Sequence, residues 1–460
     1  MHRPGAGLWG REPDLGLDMA SILIRGGRVI DPASGTDDTL DVLIEGERIT
    51  RIAKGIDAGN SQVIDASGLI VSPGLIDPHV HLREPGQEHK ETILTGSQAA
   101  VAGGFTTVCC MPNTAPTLDS PEIVRFVYDR AREARCRVYP VAAGTVGRRG
   151  EQMAEIQLLV QAGAVGISDD GDVIASAGMM TSVLTATASA GLCFMQHCQE
   201  PTLTLNASMH AGGVSTRLGL GGWPRVAEEI IIERDIRLVG ETGCRYHVQH
   251  LSCAGSVDLI RTARKRGLPV SAEASPHHLL LTDEACLGYN TNAKMNPPLR
   301  EQSDIDAIKQ GVTDGTITIL ATDHAPHTAD EKAQPFGEAP FGIIGLETAL
   351  AGYAQALIEP GHIDWPKLIE LMTINPARLC NLDRDHAGEC GLGELREGGL
   401  ADVTLIDPKH EWTVTETDLE GLSSNTPFLG RTFASRTVLT LVGGAIRHSR
   451  ITEHEAVYTR

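Results

Sequence analysis

Two histidines that are one residue apart, His79 and His81, are the first residues in the chain whose spacing suggests chemistry. An apolar run at residues 68–76 leads into them, and side chains two apart on an extended segment point to the same side. Two imidazoles that face one point suit a divalent metal, because zinc binds neutral imidazole nitrogen at ~2.0 to 2.1 Å. Arg83 would bring to that side a donor fork suited to a carboxylate. Taken alone, the pair fits surface histidines on a loop equally well.

The elements that must position these side chains follow from an alternation of strand-like and helix-like stretches. Eight parallel-type strands with crossovers between them are the count of a (β/α)8 TIM barrel. An open, doubly wound sheet is the alternative. The strand-like runs lie at residues 69–77, 106–111, 137–142, 164–168, 192–196, 245–249, 269–274 and 316–321, and helical stretches include residues 90–102, 121–135, 151–161 and 225–240.

Short β-rich pieces broken by Gly, Asp and Asn turns occupy the chain from residue 21 to 71, and a matching pattern returns after Gly398. Such pieces are typical of a small antiparallel sheet. We expect one small β-sandwich domain formed from the N- and C-terminal segments, residues 21–72 and 398–450, around a barrel at 73–397. Residues 1–20 lack the apolar core of a secretory signal and are predicted to be a disordered leader.

The barrel makes a sharp prediction, because active residues of this fold lie at the carboxyl ends of its strands. Six of the eight predicted strand ends present a metal-binding or hydrogen-bonding side chain. The side chains at these ends are those of His79, His81, Asn113, Asp169, Asp170, His197, His250 and Asp323.

Each of these residues also has an ordinary structural interpretation. His197 or His250 alone would more often be a core or loop histidine, and Asp170 could belong to a simple turn. Because these residues would lie together on one barrel rim, we favour their interpretation as metal ligands. Asp323 is the candidate general base, because a carboxylate beside a metal can bind it with one oxygen and take a proton from water with the other.

Some polar features stay open at this point. The pair His277-His278 is ambiguous, and His247 would face away from His250 on a strand. The polar segment at residues 328–340 fits a lid over bound substrate and an inert surface loop equally well.

The overall charge restricts the classes of partner. The formal net charge of -20 argues against a general nucleic-acid or anionic-membrane surface, because both need clustered basic residues. An anionic substrate would therefore depend on local positive charge. No apolar run approaches the ~20 residues of a membrane helix. The ten cysteines are scattered, apart from Cys109-Cys110, which predicts free thiols and a cytoplasmic location.

Taken together, these motifs resemble those of the dihydroorotases of the bacterial class I type, within the amidohydrolase superfamily. The resemblance extends from residue 21 to about residue 447. The motifs at 77–86 and 321–327 are specific, whereas Asp169-Asp170-Gly171 is weak alone. The matching pieces lie at residues 77–86, 111–114, 168–171, 294–300, 321–327 and 339–342.

The resemblance implies roles for particular residues, with one or two Zn²⁺ ions per subunit. One zinc would be held by His79, His81, Asp170 and Asp323, and a second by His197, His250 and the shared Asp170. Asp323 would also be the catalytic base. Substrate would be bound by Arg83, Asn113, Asn296, His327 and the backbone of Phe341 and Gly342.

One departure from the wider superfamily is informative. Hydantoinases, allantoinases and the other dihydroorotase class usually bridge two metals with a carboxylated lysine after the fourth strand. Residues 163–172 contain no lysine, so an aspartate must substitute. This fits class I and counts against a hydantoinase.

The resemblance implies reversible cyclisation of N-carbamoyl-L-aspartate to L-dihydroorotate, in pyrimidine biosynthesis. One alternative is another cyclic amidohydrolase, of the hydantoinase or allantoinase type. A second is a non-catalytic partner of aspartate transcarbamoylase, but such homologues lack metal ligands and every ligand position is filled here. Association of an active enzyme with aspartate transcarbamoylase stays open, and we expect a homo-oligomer.

Overall fold

The computed structural model describes residues 21–383 and 391–451. The predicted leader, residues 1–20, lies outside these ranges. The strands in the first part of the chain are β1 (Ile22–Asp31), β2 (Thr36–Glu45), β3 (Arg48–Ala53), β4 (Gln62–Asp65), β5 (Ile70–Pro73), β6 (Leu75–Val80), β7 (Phe105–Cys110), β8 (Arg137–Ala142), β9 (Gly166–Ile167) and β10 (Cys193–Gln196).

The remaining strands and the helices are as follows. The strands are β11 (Met209–His210), β12 (Gly222–Trp223), β13 (Arg245–Val248), β14 (Val270–Ala274), β15 (Ile319–Leu320), β16 (Val403–Asp407), β17 (Trp412–Thr413), β18 (Thr432–Phe433), β19 (Arg436–Val442) and β20 (Ala445–Ser449). The helices are α1 (Ile93–Gly103), α2 (Pro121–Ala131), α3 (Ile156–Ala162), α4 (Ala177–Ser189), α5 (Gly213–Leu218), α6 (Val226–Thr242), α7 (Ala254–Lys265), α8 (Pro276–Leu280), α9 (Gln302–Thr313), α10 (Ala329–Lys332), α11 (Ala349–Tyr353), α12 (Trp365–Met372) and α13 (Ile374–Leu379).

The strands β6 to β10 and β13 to β15 form one eight-stranded sheet in which they are neighbours in chain order. Neighbouring strands are parallel. The segment after the last strand meets the first strand at a parallel bridge between Val80 and His324, where the His81 N–H donates to the His324 carbonyl at 2.8 Å. The chain thus nearly closes the sheet, and the predicted (β/α)8 barrel is confirmed.

The two ends of the chain build a second sheet, in the order β20-β19-β16-β5-β1-β2-β3, with β4 beside β1. The first half of β1 pairs with β4 and its second half with β5. Apolar side chains from both ends share one buried cluster, which includes Ile24, Val71, Val403 and Leu439. The two terminal segments therefore pair as expected, while the domain limits at 72 and 398 stay a prediction.

The strand predicted at residues 69–77 is wrong in one respect, because it divides into β5 and β6 in different sheets. Gly74 lies between them, and its N–H donates to the Asp402 carbonyl of the terminal sheet at 2.9 Å. A Cβ at Gly74 would come within 2.0 Å of the Thr106 hydroxyl oxygen. The chain thus crosses from one sheet to the other at a glycine where a side chain has no room.

The helices around the barrel begin and end at recognisable signals. In α1, the Thr92 hydroxyl accepts the Thr95 N–H at 3.1 Å, and the helix ends at Gly104 with φ of 97°, as capping preferences predict. α2 begins at Pro121, which suits a first helical turn. Within the described ranges, no helix combines the length and the apolar character needed to cross a membrane.

Candidate active site

Six side chains predicted as metal ligands converge at the carboxyl end of the barrel. They belong to strand ends far apart in the chain, and each is at most 7% exposed. The barrel therefore buries a concentration of imidazoles and carboxylates that would be costly without a partner. The six residues are His79, His81, Asp170, His197, His250 and Asp323.

The first group of ligands surrounds His79 and His81. The Nε2 atoms of these two rings lie 3.4 Å from opposite oxygens of the Asp170 carboxylate. Oδ1 of Asp323 lies 3.0 Å from His81 Nε2 and 3.5 Å from His79 Nε2. The four side chains predicted to hold the first ion thus lie next to one another.

The second group shares Asp170 with the first. His197 Nδ1 and His250 Nε2 each lie 3.7 Å from Asp170 Oδ1 and are 2.9 Å from one another. The ligand atoms of His79, His81 and Asp170 lie within 4.8 Å of one another, as do those of Asp170, His197 and His250. A single carboxylate lies between two sets of imidazoles.

The donor set fits a divalent cation. His79 Nε2 and Asp170 Oδ1 are fully buried and have no hydrogen-bond partner among the described residues. Unpaired polar atoms at such depth are costly unless something else binds them. Histidine nitrogen and carboxylate oxygen are the ligands that divalent transition metals accept. The two groups therefore form a candidate divalent-metal centre.

The electrostatics of the site favour a cation as well. Burial opposes a charged ring at His79, yet the carboxylates of Asp170 and Glu273 raise its pKa well above the usual value. Burial also opposes the charged form of Asp323, but His81, His79 and His250 lower its pKa to about 2. The site holds ionised carboxylates and attracts positive charge to its imidazoles, which a metal ion can replace.

Glu273 holds the ligand histidines in place, and the sequence analysis missed it. Its Oε1 accepts the Nδ1–H of His79 at 2.6 Å and the backbone N–H of His250 at 3.2 Å. Its Oε2 accepts His247 Nε2 at 2.9 Å, so His247 is a supporting residue. A glutamate within the small, buried residues of β14 was the available signal, because a buried carboxylate needs partners.

Gln199 is a second residue that the sequence analysis missed. Its Oε1 accepts the Nε2–H of His197 at 2.9 Å and the side-chain N–H of Asn296 at 3.3 Å. It thereby joins a ligand histidine to a predicted substrate residue. Nothing in the local sequence distinguishes it from an ordinary loop glutamine.

Several residues of the site have left-handed backbone conformations. The φ angles are 63° at Arg83, 30° at His250 and 51° at Asp323. Residues with a Cβ rarely adopt such angles, and they concentrate at functional sites. The turn at Arg83 also ends the strand alternation, so a turn and not an extended segment carries its side chain.

Arg83, His327 and Asn113 lie around this centre. Arg83 donates to the Pro326 carbonyl at 3.1 Å and to His327 Nε2 at 3.3 Å, and burial lowers its pKa to about 10. Asn113 Oδ1 accepts the Nδ1–H of His81 at 2.8 Å. The structure thus brings one buried cation and one amide beside the ligand cluster.

The remaining predicted substrate residues lie on neighbouring loops. Asn296 contacts Gln199, and its side-chain oxygen is buried without a partner among the described residues. The ring of Phe341 packs edge-on against Trp223 with 6.1 Å between centroids. Gly342 lies beside His327, but its N–H already donates to the Lys294 carbonyl at 2.9 Å, so it is engaged within the chain.

The structure shows the contacts of two features that the sequence left open, the His277-His278 pair and the segment at residues 328–340. His277 and His278 are buried with ring centroids 4.3 Å apart, and His278 Nε2 donates to the Pro297 carbonyl at 3.0 Å. The segment at 328–340 contains α10, whose Lys332 is buried and donates to the carbonyls of Pro340 and Gly342. This segment is therefore attached to the loop that carries Phe341.

The chain is similar to known proteins along most of its length. The family model described as Dihydro-orotase-like matches residues 68–256. A dihydroorotase of Trichlorobacter lovleyi is 47% identical over 428 residues, which are 93% of this chain and 99% of that protein. A dihydroorotase of Geotalea daltonii is 46% identical over 432 residues, or 94% and 100%.

Among solved structures, the L-hydantoinase (dihydropyrimidinase) from Arthrobacter aurescens superposes with a TM-score of 0.82 at 23% identity. The match covers 93% of this chain and 96% of that one. At this identity the likeness shows the fold alone, which agrees with the barrel and its attached sheet.

Proposed function

The chain belongs to the dihydroorotase family, and from this premise we propose that the cluster at its barrel mouth carries the family's reaction. The chain catalyses the reversible cyclisation of N-carbamoyl-L-aspartate to L-dihydroorotate. The observation that carries the assignment of the site is the convergence of two imidazole sets on one carboxylate, that of Asp170. The relatives that share 44–47% of residues over nearly their whole length bear the name of this activity.

We assign zinc to the metal centre. His79, His81, Asp170 and Asp323 would hold one ion, and His197 and His250 with the shared Asp170 would hold a second. The aspartate at this position, without a lysine in residues 163–172, supports the bacterial class I type. When bound, the metal supplies a Lewis acid that lowers the pKa of water, to about 7 in favourable cases, and polarises the amide carbonyl.

Asp323 would move the proton. Its low pKa keeps it a carboxylate at neutral pH, which is the form that accepts a proton. It takes a proton from the attacking water and delivers it to the ring nitrogen that leaves, and in the cyclisation direction the transfer runs in reverse. Its contact with His81 at 3.0 Å fixes the carboxylate at the cluster.

The exocyclic carboxylate of dihydroorotate would bind at Arg83. A buried guanidinium forms strong, charge-assisted hydrogen bonds to a carboxylate, and Arg83 is 7% exposed. Asn113, Asn296, His327 and the Phe341–Gly342 backbone would complete the binding site. This local positive charge attracts the anionic substrate, which the net charge of -20 would otherwise repel.

The substrate assignment is tested by comparing Arg83→Met with wild type on dihydroorotate and on hydantoin. Hydrogen bonds to a charged group contribute ~1.5 to 3 kcal/mol, so KM for dihydroorotate should rise roughly 10- to 150-fold. Hydantoin lacks the carboxylate, so any activity on it should be unchanged. Arg125→Met, on the exposed face of α2, is the matched control.

The outcomes separate the alternatives. Turnover of hydantoin but not of dihydroorotate by the wild-type protein would establish the hydantoinase-type activity instead. Unchanged KM for dihydroorotate in an active Arg83→Met variant would remove Arg83 from the binding site.

A cytoplasmic location, a homo-oligomer and association with aspartate transcarbamoylase remain predictions. The nine described cysteines, all buried free thiols, support a reducing compartment.

A further inference from the structure

Two loops at the barrel mouth are held together by Asp169. The loop at residues 144–150 follows β8, and the loop at residues 168–172 follows β9. The Asp169 carboxylate accepts the N–H of Gly144 at 2.8 Å, the N–H of Thr145 at 3.0 Å and the Thr145 hydroxyl. Asp169 is therefore occupied by the first loop, and only its neighbour Asp170 faces the imidazoles.

The backbone of Asp170 is held on both sides. Its N–H donates to the Ser168 hydroxyl at 3.0 Å, and its carbonyl accepts Nη1 of Arg148 at 2.8 Å. The same guanidinium nitrogen lies 2.9 Å from the Asp172 carboxylate. Gly171, with φ of 85°, leaves room for this contact, since a Cβ there would lie 3.1 Å from Arg148 Nη1.

This attachment matters because of what the Asp170 side chain must do. Its Oδ1 lies 3.4 Å from His79 Nε2 and 3.7 Å from the nearest ring nitrogens of His197 and His250. Its Oδ2 lies 3.4 Å from His81 Nε2. An aspartate side chain has only two rotatable bonds, so the position of its oxygens depends directly on its backbone. A shift of the Asp170 carbonyl would move both oxygens.

The residue that makes this contact, Arg148, has an unfavourable backbone conformation. Its φ angle is 58°, in the left-handed region, and it follows Gly147 with φ of 61°. Glycine is the residue that this conformation favours. An arginine at this place needs another reason, and its side-chain contact with the Asp170 carbonyl provides one.

We propose that Arg148 is the positioning residue for the bridging carboxylate of Asp170, and that it sets the affinity of the second metal position. The inference rests on the proposed metal-bridging role of Asp170. The first group keeps three other ligands when Asp170 shifts: His79, His81 and Asp323. The second keeps only His197 and His250, so it should lose its ion first.

The test measures stepwise Zn²⁺ binding to the purified, metal-stripped chain by competition with a chromophoric chelator. Supporting groups of metal ligands typically contribute 10- to 100-fold in affinity. In Arg148→Met, the weaker zinc-binding step should therefore weaken about 10- to 100-fold, while the tighter step changes less. Arg149→Met is the matched control, because Arg149 is the exposed neighbour. Arg148→Lys should recover part of the affinity.

A general loss of structure is distinguished by Arg148→Gly. Glycine relieves the left-handed backbone, so the melting temperature of the metal-free protein should not fall, while the weaker zinc-binding step should weaken as it does in Arg148→Met. Binding by Arg148→Met or Arg148→Gly that matches Arg149→Met would overturn the proposal. Asp170→Ala distinguishes the role of Asp170 from that of Arg148. If Asp170→Ala bound zinc as wild type does, Asp170 would not be a shared ligand.

Discussion

Replacement of Glu273 by glutamine would test how the ligand histidines are held. The glutamate is 1% exposed and accepts one N–H from each of His79, His247 and the His250 backbone. Glutamine has the same shape, with one acceptor oxygen and one amide that donates. If the oxygen faces His79, the amide faces His247 Nε2.

The geometry allows this change without a broken hydrogen bond. His247 Nδ1 lies 2.8 Å from the Ser271 hydroxyl, which can donate or accept. The His247 ring can therefore move its proton to Nδ1 and accept from the new amide at Nε2. Glu273→Gln then removes the negative charge while the packing stays the same.

The magnitude follows from the loss of charge on the His79 contact, because His247 is not a metal ligand. Hydrogen bonds to charged groups contribute ~1.5 to 3 kcal/mol and neutral ones ~0.5 to 1.5 kcal/mol, so the contact loses about 1 to 1.5 kcal/mol. This loss corresponds to roughly 5- to 10-fold in a dissociation constant. We expect the tighter zinc-binding step, which contains His79, to weaken by about this factor in chelator competition.

The control is Glu347→Gln, since Glu347 is also buried but accepts the backbone N–H groups of Glu420 and Gly421. It should bind zinc as wild type does. A tight-step dissociation constant for Glu273→Gln within threefold of the control would refute the reasoning that the carboxylate supports the ligands through its charge.

Three further predictions concern the base, a loop and a buried lysine. Asp323→Asn should keep its metal and lose roughly 10²- to 10⁴-fold in kcat, measured by dihydroorotate turnover and metal analysis; near-normal turnover would remove the base role. Gly86→Ala should destabilise by about 3 kcal/mol, because its Cβ would lie 1.9 Å from the Ala115 carbonyl oxygen. Gly35→Ala is the control, because Gly35 has φ of 75° but open space around it, and it should lower the free energy of unfolding by only about 1 kcal/mol. Denaturant titration measures both variants, and equal losses of stability would contradict the steric argument. Burial lowers the pKa of Lys332 from 10.5 to about 7, so between these pH values the unfolded chain binds a proton that the folded chain does not. In that range the free energy of unfolding should rise with pH by about 1.4 kcal/mol per pH unit more in wild type than in Lys332→Met. Equal slopes in the two proteins would contradict a lowered pKa.

The barrel could be predicted from the sequence because its strands are apolar runs at regular intervals. The eighth strand shows how far that pattern reaches, since the run at 316–321 contains only the two residues of β15, Ile319–Leu320. The division at Gly74 was not visible, because the apolar run continues through it. The contacts that make glycine necessary there, with Thr106 and Asp402, lie elsewhere in the chain.

The ligand cluster could be predicted because parallel strands end at one face, so residues at those ends must meet. Its supports could not be predicted in this way. Their decisive contacts include residues far away in the chain, His79 for Glu273 and Asn296 for Gln199. A glutamate among the buried residues of β14 was a local signal for Glu273, whereas Gln199 had none. The left-handed turn at Arg83 likewise depends on loop contacts that strand periodicity does not encode.

Removal and return of the metal test the central claim most directly. The purified chain would be stripped with a chelator and titrated with Zn²⁺ while metal content and dihydroorotate turnover are followed on the same samples. Turnover should be absent from the stripped protein and return with the zinc bound, and Asp170→Ala should require far more zinc. Full turnover by metal-free protein, or zinc binding that is indifferent to Asp170, would contradict a catalytic metal centre at this barrel mouth.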